Sequence, residues 1–159
     1  MWTDDTGSPN ASGTGPSTMW ADTPIVSLPP SLPDAVACIA NCATATVVGA
    51  LRTGGGCRGE HVLVLGAGML GLNAAALARL GGAEAVYVSD VSAARLEQAA
   101  KFGATACLSF VDDGATLVDE LRNRTNGRGV DLVLELSGAP AAMAASLRAL
   151  RIGGRVVFV

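Results

Sequence analysis

Aromatic side chains are scarce in this sequence, with three Phe, two Trp and one Tyr among 159 residues. So few rings, beside heavy use of Ala and Gly, favour a tightly layered α/β protein over an aromatic-rich sandwich. The only histidine, His61, begins an apolar run, so neither a Ser-His-Asp triad nor a histidine metal cluster is expected. The cysteines at 38, 42, 57 and 107 form no C-x-x-C pair, which argues against a zinc ribbon and a disulfide framework. Reduced thiols and a cytoplasmic location are the expectation, and the sequons at Asn10 and Asn123 then carry no meaning. No basic stripe stands out against a net charge of −3, so no nucleic-acid partner is expected. Arg122, Arg124 and Arg128 read as a solvated helix end. Long hydrophobic runs are also lacking. The stretch Val36–Leu51 is broken by Asn41, Thr44 and Thr46 and reads as too short for a bilayer, so no membrane partner is expected. A basic segment followed by an apolar one is missing at the start, which argues against a secretory leader.

What is there fits one domain with tails. Residues 1–23, rich in Ser, Thr, Gly, Pro and Asp, read as a disordered tail. Residues 24–59 read as an extended, proline-bearing segment and a linking helix from an N-cap at Asp34 to about Arg52, closed by a glycine-rich loop. Residues 60–159 alternate regularly. Strands are expected at His61–Leu65, Ala85–Asp90, Ala106–Phe110, Val130–Leu136 and Arg155–Val159. Helices are expected at Met69–Leu80, Ser92–Phe102, Ala115–Arg124 and Pro140–Leu150. That alternation predicts right-handed βαβ crossovers and a doubly wound parallel Rossmann sheet of order 3-2-1-4-5. The strands are continuous apolar runs, as a sheet covered on both faces requires.

The segment Gly66-Ala-Gly-Met-Leu-Gly71 matches G-x-G-x-x-G. Alone it is weak, but it follows a strand, opens a helix, and precedes by 19 positions an acidic residue, Asp90, at the end of the next strand. Gly66 would allow the tight turn, Gly68 the approach of backbone to a pyrophosphate, and Gly71 close packing of helix on strand. Met69 and Leu70 open the helix whose free N–H groups would face the phosphates. Asp90 would accept both hydroxyls of an adenosine ribose, or serve as a strand-end cap. Arg95 would lie over the adenine or face solvent. Ser137 and Gly138, ending the fourth strand, would touch the cofactor or form a plain turn. Cys42 sits in an apolar helix, where a buried thiol is the commoner meaning. Cys38 lies one turn earlier, and two thiolates without a third ligand make a poor metal site.

Residues 24–159 resemble the cofactor domain of the medium-chain, zinc-dependent alcohol dehydrogenase family. The matching segments are SLPDAVACIANCATATVVGAL, VLVLGAGMLGLNAAALARLGGAEAVYVSD, RLEQAAKFGAT, GVDLVLELSG and GGRVVFV. The CATATV and GAGMLGL segments most resemble the alcohol dehydrogenases associated with phosphonate catabolism. The resemblance implies NAD as cofactor, with Asp90 and Arg95 at the NAD-selecting positions. It implies that Cys42 matches the cysteine this domain gives to a catalytic zinc, the other ligands coming from a GroES-like domain absent here. It also implies that Thr46 matches a threonine near the nicotinamide, although helix packing would equally explain it. A sixth strand would follow Val159, and without it the fifth is an apolar edge.

The reading is therefore an NAD(H)-binding domain of an oxidoreductase that moves hydride between an alcohol or aldehyde and the nicotinamide. The chain as given is read as an incomplete enzyme. A zinc-free reductase of the quinone oxidoreductase type, or a non-catalytic nucleotide-binding or homo-oligomerising module, stays open beside it.

Overall fold

The computed structural model describes residues 27–159, so the expected disordered tail lies outside the described residues. Two units divide the chain after Cys38. The first contains, among its described residues, one short helix, α1 (Asp34–Ala37). Its N-cap is Pro33, with extended backbone, one position earlier than the cap expected at Asp34, which is already helical. Proline's fixed φ suits that flank, and an acidic first turn suits the positive end of the helix dipole.

The second unit opens with a π-helical turn, Ala40–Thr44, leading into α2 (Ala45–Thr53). The linking helix is thus interrupted, and the Thr44 N–H reaches back five residues to the Ile39 carbonyl at 3.2 Å. The stretch Asp34–Thr53 spans 20 residues and is apolar enough, by length and composition, to cross a bilayer, contrary to the sequence expectation. Its second half serves another purpose. Val47 and Ala50 are buried in one core with Leu132 and Leu134 of the sheet.

From there the alternation read from sequence takes shape as β1 (His61–Leu65), α3 (Met69–Leu80), β2 (Ala85–Asp90) and α4 (Ala93–Lys101). Next come β3 (Ala106–Ser109), a short 3-10 turn, α5 (Ala115–Arg124), β4 (Val130–Glu135), α6 (Pro140–Ala149) and β5 (Leu150–Phe158). All pairings are parallel and the order is β3-β2-β1-β4-β5, as the crossover rule predicts. One apolar layer packs α2, α3 and α4 on Val62, Val64, Val86 and Val88. The other packs α5 and α6 on Leu63, Leu65, Tyr87 and Val133. Successive strand residues point to opposite faces, so both layers are filled from the same strands.

The helix termini have local causes. Pro140 occupies the first turn of α6, where a missing N–H costs nothing. Gly103, at φ +91°, turns the chain off the end of α4. The largest difference from expectation is β5, which starts at Leu150 rather than Arg155. Val130 pairs with Leu150, and after a register shift Leu132 pairs with Arg155. The Gly153-Gly154 pair therefore lies in an irregularity inside the strand instead of preceding it.

Candidate functional site

Strand β1 ends between two neighbours, β2 and β4, whose chains leave the sheet in opposite directions. At that switch point a crevice of about 450 Å3 opens, lined by Gly66, Gly68, Ser89, Asp90, Val91, Arg95, Phe110 and Ser137 among others. Five of the residues singled out in the sequence, Gly66, Gly68, Asp90, Arg95 and Ser137, are brought together there. Ligands of open parallel sheets bind at such a place.

The glycine turn is shaped by sterics that can be read position by position. Gly66 has φ +96°, and a Cβ there would stand 3.1 Å from the Ser137 backbone nitrogen. At Gly71 a Cβ would fall 1.8 Å from the Gly66 carbonyl oxygen, so α3 could not start so close to the turn with any side chain at that position. Gly68 differs: its φ is ordinary and nothing lies within 4 Å of where a Cβ would be. Its backbone faces open space. Met69 is exposed and Leu70 packs partly into the core, and as the first residues of α3 both have backbone N–H groups without a partner inside the helix.

Asp90 is buried at the end of β2. One carboxylate oxygen accepts the Ala67 N–H at 2.7 Å and the other accepts the Ser92 N–H at 2.8 Å. The carboxylate thus ties the glycine turn to the β2 end and caps the approach to α4. The Arg95 guanidinium, largely exposed, lies 3.7 Å from it. Each carboxylate oxygen keeps a lone pair for a further donor.

The opposite wall was not foreseen in full. Glu135, at the end of β4, is wholly buried, and sequence reading gave it only a place in a strand. It accepts the Ser137 N–H at 2.9 Å, the Ser137 hydroxyl at 2.5 Å and the Gly138 N–H at 3.2 Å. The Ser137 hydroxyl proton is committed to Glu135, and its oxygen also accepts the Ala139 N–H. Ser137 can therefore meet a ligand only as an acceptor or through its backbone. Gly138, at φ +69°, completes the turn and is exposed. An acidic residue closing an apolar strand just before Ser-Gly was the available signal.

Cys42 and Thr46 are not among the residues lining the crevice. Cys42 is exposed, on the π-helical turn, so the reading of it as a buried core thiol is wrong. The residues before it are no more buried, with none of α1 buried and Cys38 exposed, so apolar composition was a poor guide to burial in this stretch. Thr46 is half-buried on α2. Among the described residues no three His, Cys, Asp or Glu side chains come together as a metal site. A four-coordinate zinc shell does not fit the residues present. Cys57 and Cys107 lie inward, and burial pushes both thiols up.

At the other end of the sheet a wider cleft of about 670 Å3 is lined by Arg122, Arg128 and Arg151. Its arginines are already engaged. Arg128 and Arg151 pair with buried Asp131 at 3.2 and 2.5 Å, and Arg122 reaches the Arg148 carbonyl at 3.5 Å. Cations there offset Asp131 and the carbonyl ends of α5 and α6. The expected solvated helix end thus extends into a structural ion cluster.

The fold, the switch-point crevice and the glycine turn define a dinucleotide-type α/β domain. The chain belongs to the zinc-binding dehydrogenase family, whose profile it matches over residues 70–159. It is 46% identical over 101 residues to an L-threonine 3-dehydrogenase of Streptomyces coelicolor, covering 64% of this chain and 29% of that one. It is 38% identical over 101 residues to a sorbitol dehydrogenase of Bacillus subtilis, covering 64% and 28%. Among solved structures it resembles an alcohol dehydrogenase from Thermus sp. ATN1, with a TM-score of 0.75 and 37% identity over 83% of this chain and 38% of that one. A mycobacterial protein complexed with NADPH gives a TM-score of 0.74 and 28% identity over 82% and 40%. The chain spans under a third of the length of these curated relatives, 29% and 28%.

Proposed function

We propose that this chain is the NAD(H)-binding domain of an alcohol dehydrogenase-like oxidoreductase acting on a small alcohol or aldehyde. The observation that carries the reading is the open backbone at Gly68, set between Gly66, whose positive φ and closeness to Ser137 disfavour a side chain, and Gly71, where any Cβ would strike the Gly66 carbonyl. A pyrophosphate fits that cradle, since phosphate oxygens accept from the N–H groups at the start of α3. Asp90 would take the adenosine ribose hydroxyls with its remaining lone pairs. Arg95 would flank the base, and Ser137 and Gly138 would form the facing wall. When bound, the nicotinamide supplies the hydride acceptor or donor. The chain's own residues hold and orient it.

Cys42 would contribute to a catalytic zinc only with ligands from a separate GroES-like domain, and its exposure supports that reading over a core role. Thr46 would then stand toward the nicotinamide. The CATATV and GAGMLGL segments support a place among the dehydrogenases associated with phosphonate catabolism. Four free cysteines support a cytoplasmic setting.

Gly68→Val tests the cradle directly. Its Cβ meets nothing in the free protein, so the circular-dichroism spectrum should persist while NADH affinity falls at least about a hundredfold, roughly 2.7 kcal/mol. Unchanged NADH affinity in a folded variant would show that no phosphate rests on this turn.

A further inference from the structure

Ser89 is the residue before Asp90 on β2, 1% exposed, and it lines the crevice. Its side chain belongs to the α5 and α6 face of the sheet, the face of Tyr87 and Leu65. The hydroxyl oxygen is buried and has no hydrogen-bond partner. Buried hydroxyls nearly always find one, because leaving water without compensation is costly. The same crevice is lined by the apolar side chains of Leu65, Phe110 and Ala142 and by the polar ones of Asp90, Arg95 and Ser137. Apolar side chains with a few polar groups among them, one an unpartnered hydroxyl, next to the carboxylate that would take a ribose, have the chemistry of a nucleobase pocket.

We infer that the Ser89 hydroxyl is a specificity-determining group that hydrogen-bonds the purine edge of an adenine nucleotide seated between Asp90 and Phe110. The inference rests on the dinucleotide reading and deepens it. A serine hydroxyl can donate to a purine ring nitrogen or accept from the exocyclic amine, and rotation about its Cα–Cβ bond carries the oxygen between staggered positions. Phe110 supplies the apolar face for the base, and Ser89 the polar contact. In the free protein the hydroxyl is a liability, and its partner arrives with the ligand.

That arrangement makes stability and affinity respond with opposite signs. In Ser89→Ala the orphan oxygen is gone, so the thermal midpoint of the free 159-residue chain should rise. Affinity for ADP and for NADH, measured by calorimetry, should fall about tenfold, the scale of one hydrogen bond. If the variant binds ADP as the unmodified chain does, the inference is wrong while the dinucleotide reading stands. If midpoint and affinity fall together, the hydroxyl has an internal partner and the inference is also wrong. If the unmodified chain binds neither ADP nor NADH, both the inference and the reading beneath it fail.

Discussion

The carboxylate of Asp90 has a structural role to which the proposed ribose contact would be added. Its oxygens hold the Ala67 and Ser92 N–H groups at 2.7 and 2.8 Å, so it is a structural cap before any ligand arrives. Both readings weighed from the sequence, ribose acceptor and strand-end cap, are compatible with one buried group. A 2′-phosphate brought beside it would meet like charge, a juxtaposition worth several kcal/mol. NAD(H) should therefore bind about a hundredfold better than NADP(H), and Asp90→Asn, which keeps one acceptor, should narrow the gap to about tenfold or less. Paired titrations of both cofactors check this, and equal affinity in the unmodified chain would contradict it. Legibility at this scale followed constraint. Gly66, Gly71 and Asp90 were readable because few residue types satisfy those positions. Of the two readings kept for Cys42, core thiol and zinc ligand, its exposure removes the first, and an apolar composition alone could not show that this stretch lies on the surface.

Elements in the middle of the sheet matched their apolar runs, and errors gathered where glycine or a helix defect altered the period. Gly153 and Gly154 look like a turn in sequence but lie within β5, where the register with β4 shifts. At the amino end of the sheet, Asp131 binds three strands together, accepting from the His61 N–H on β1 and from Arg151 on β5 while itself on β4. Burial alone would push this carboxyl up. The His61 N–H, the Arg151 hydrogen bond and the charges of Arg128 and Arg151 outweigh that and hold it below its ordinary range. A carboxyl with a folded pKa below its unfolded one contributes stability that is complete above about pH 4 and is lost as pH falls through the lowered value. Asp131→Asn should thus cost about 1–3 kcal/mol near neutrality. The gap between variant and unmodified chain, followed by urea unfolding, should close as pH drops below about 4. A gap that stays constant with pH would show that the cluster does not depend on the ionised acid.

At the scale of the whole molecule, both layers of the sheet converge on one end of β1. Asp90 fixes the glycine turn from the β2 side, and Glu135 fixes the Ser137–Gly138 turn from the β4 side, so the crevice is built before a ligand enters. Such preorganisation lowers the ordering cost of binding. The sheet order and the position of this crevice were legible because alternation and handedness leave few topologies open. Glu135 was not, since its place before Ser-Gly was the single sequence signal and its three short-range donors emerge only in the fold. The most direct test of the central claim is a titration of the 159-residue chain with NADH, followed by nicotinamide fluorescence. Saturable one-to-one binding that ADP displaces is the predicted result, and a linear response without saturation, indifferent to ADP, would contradict it.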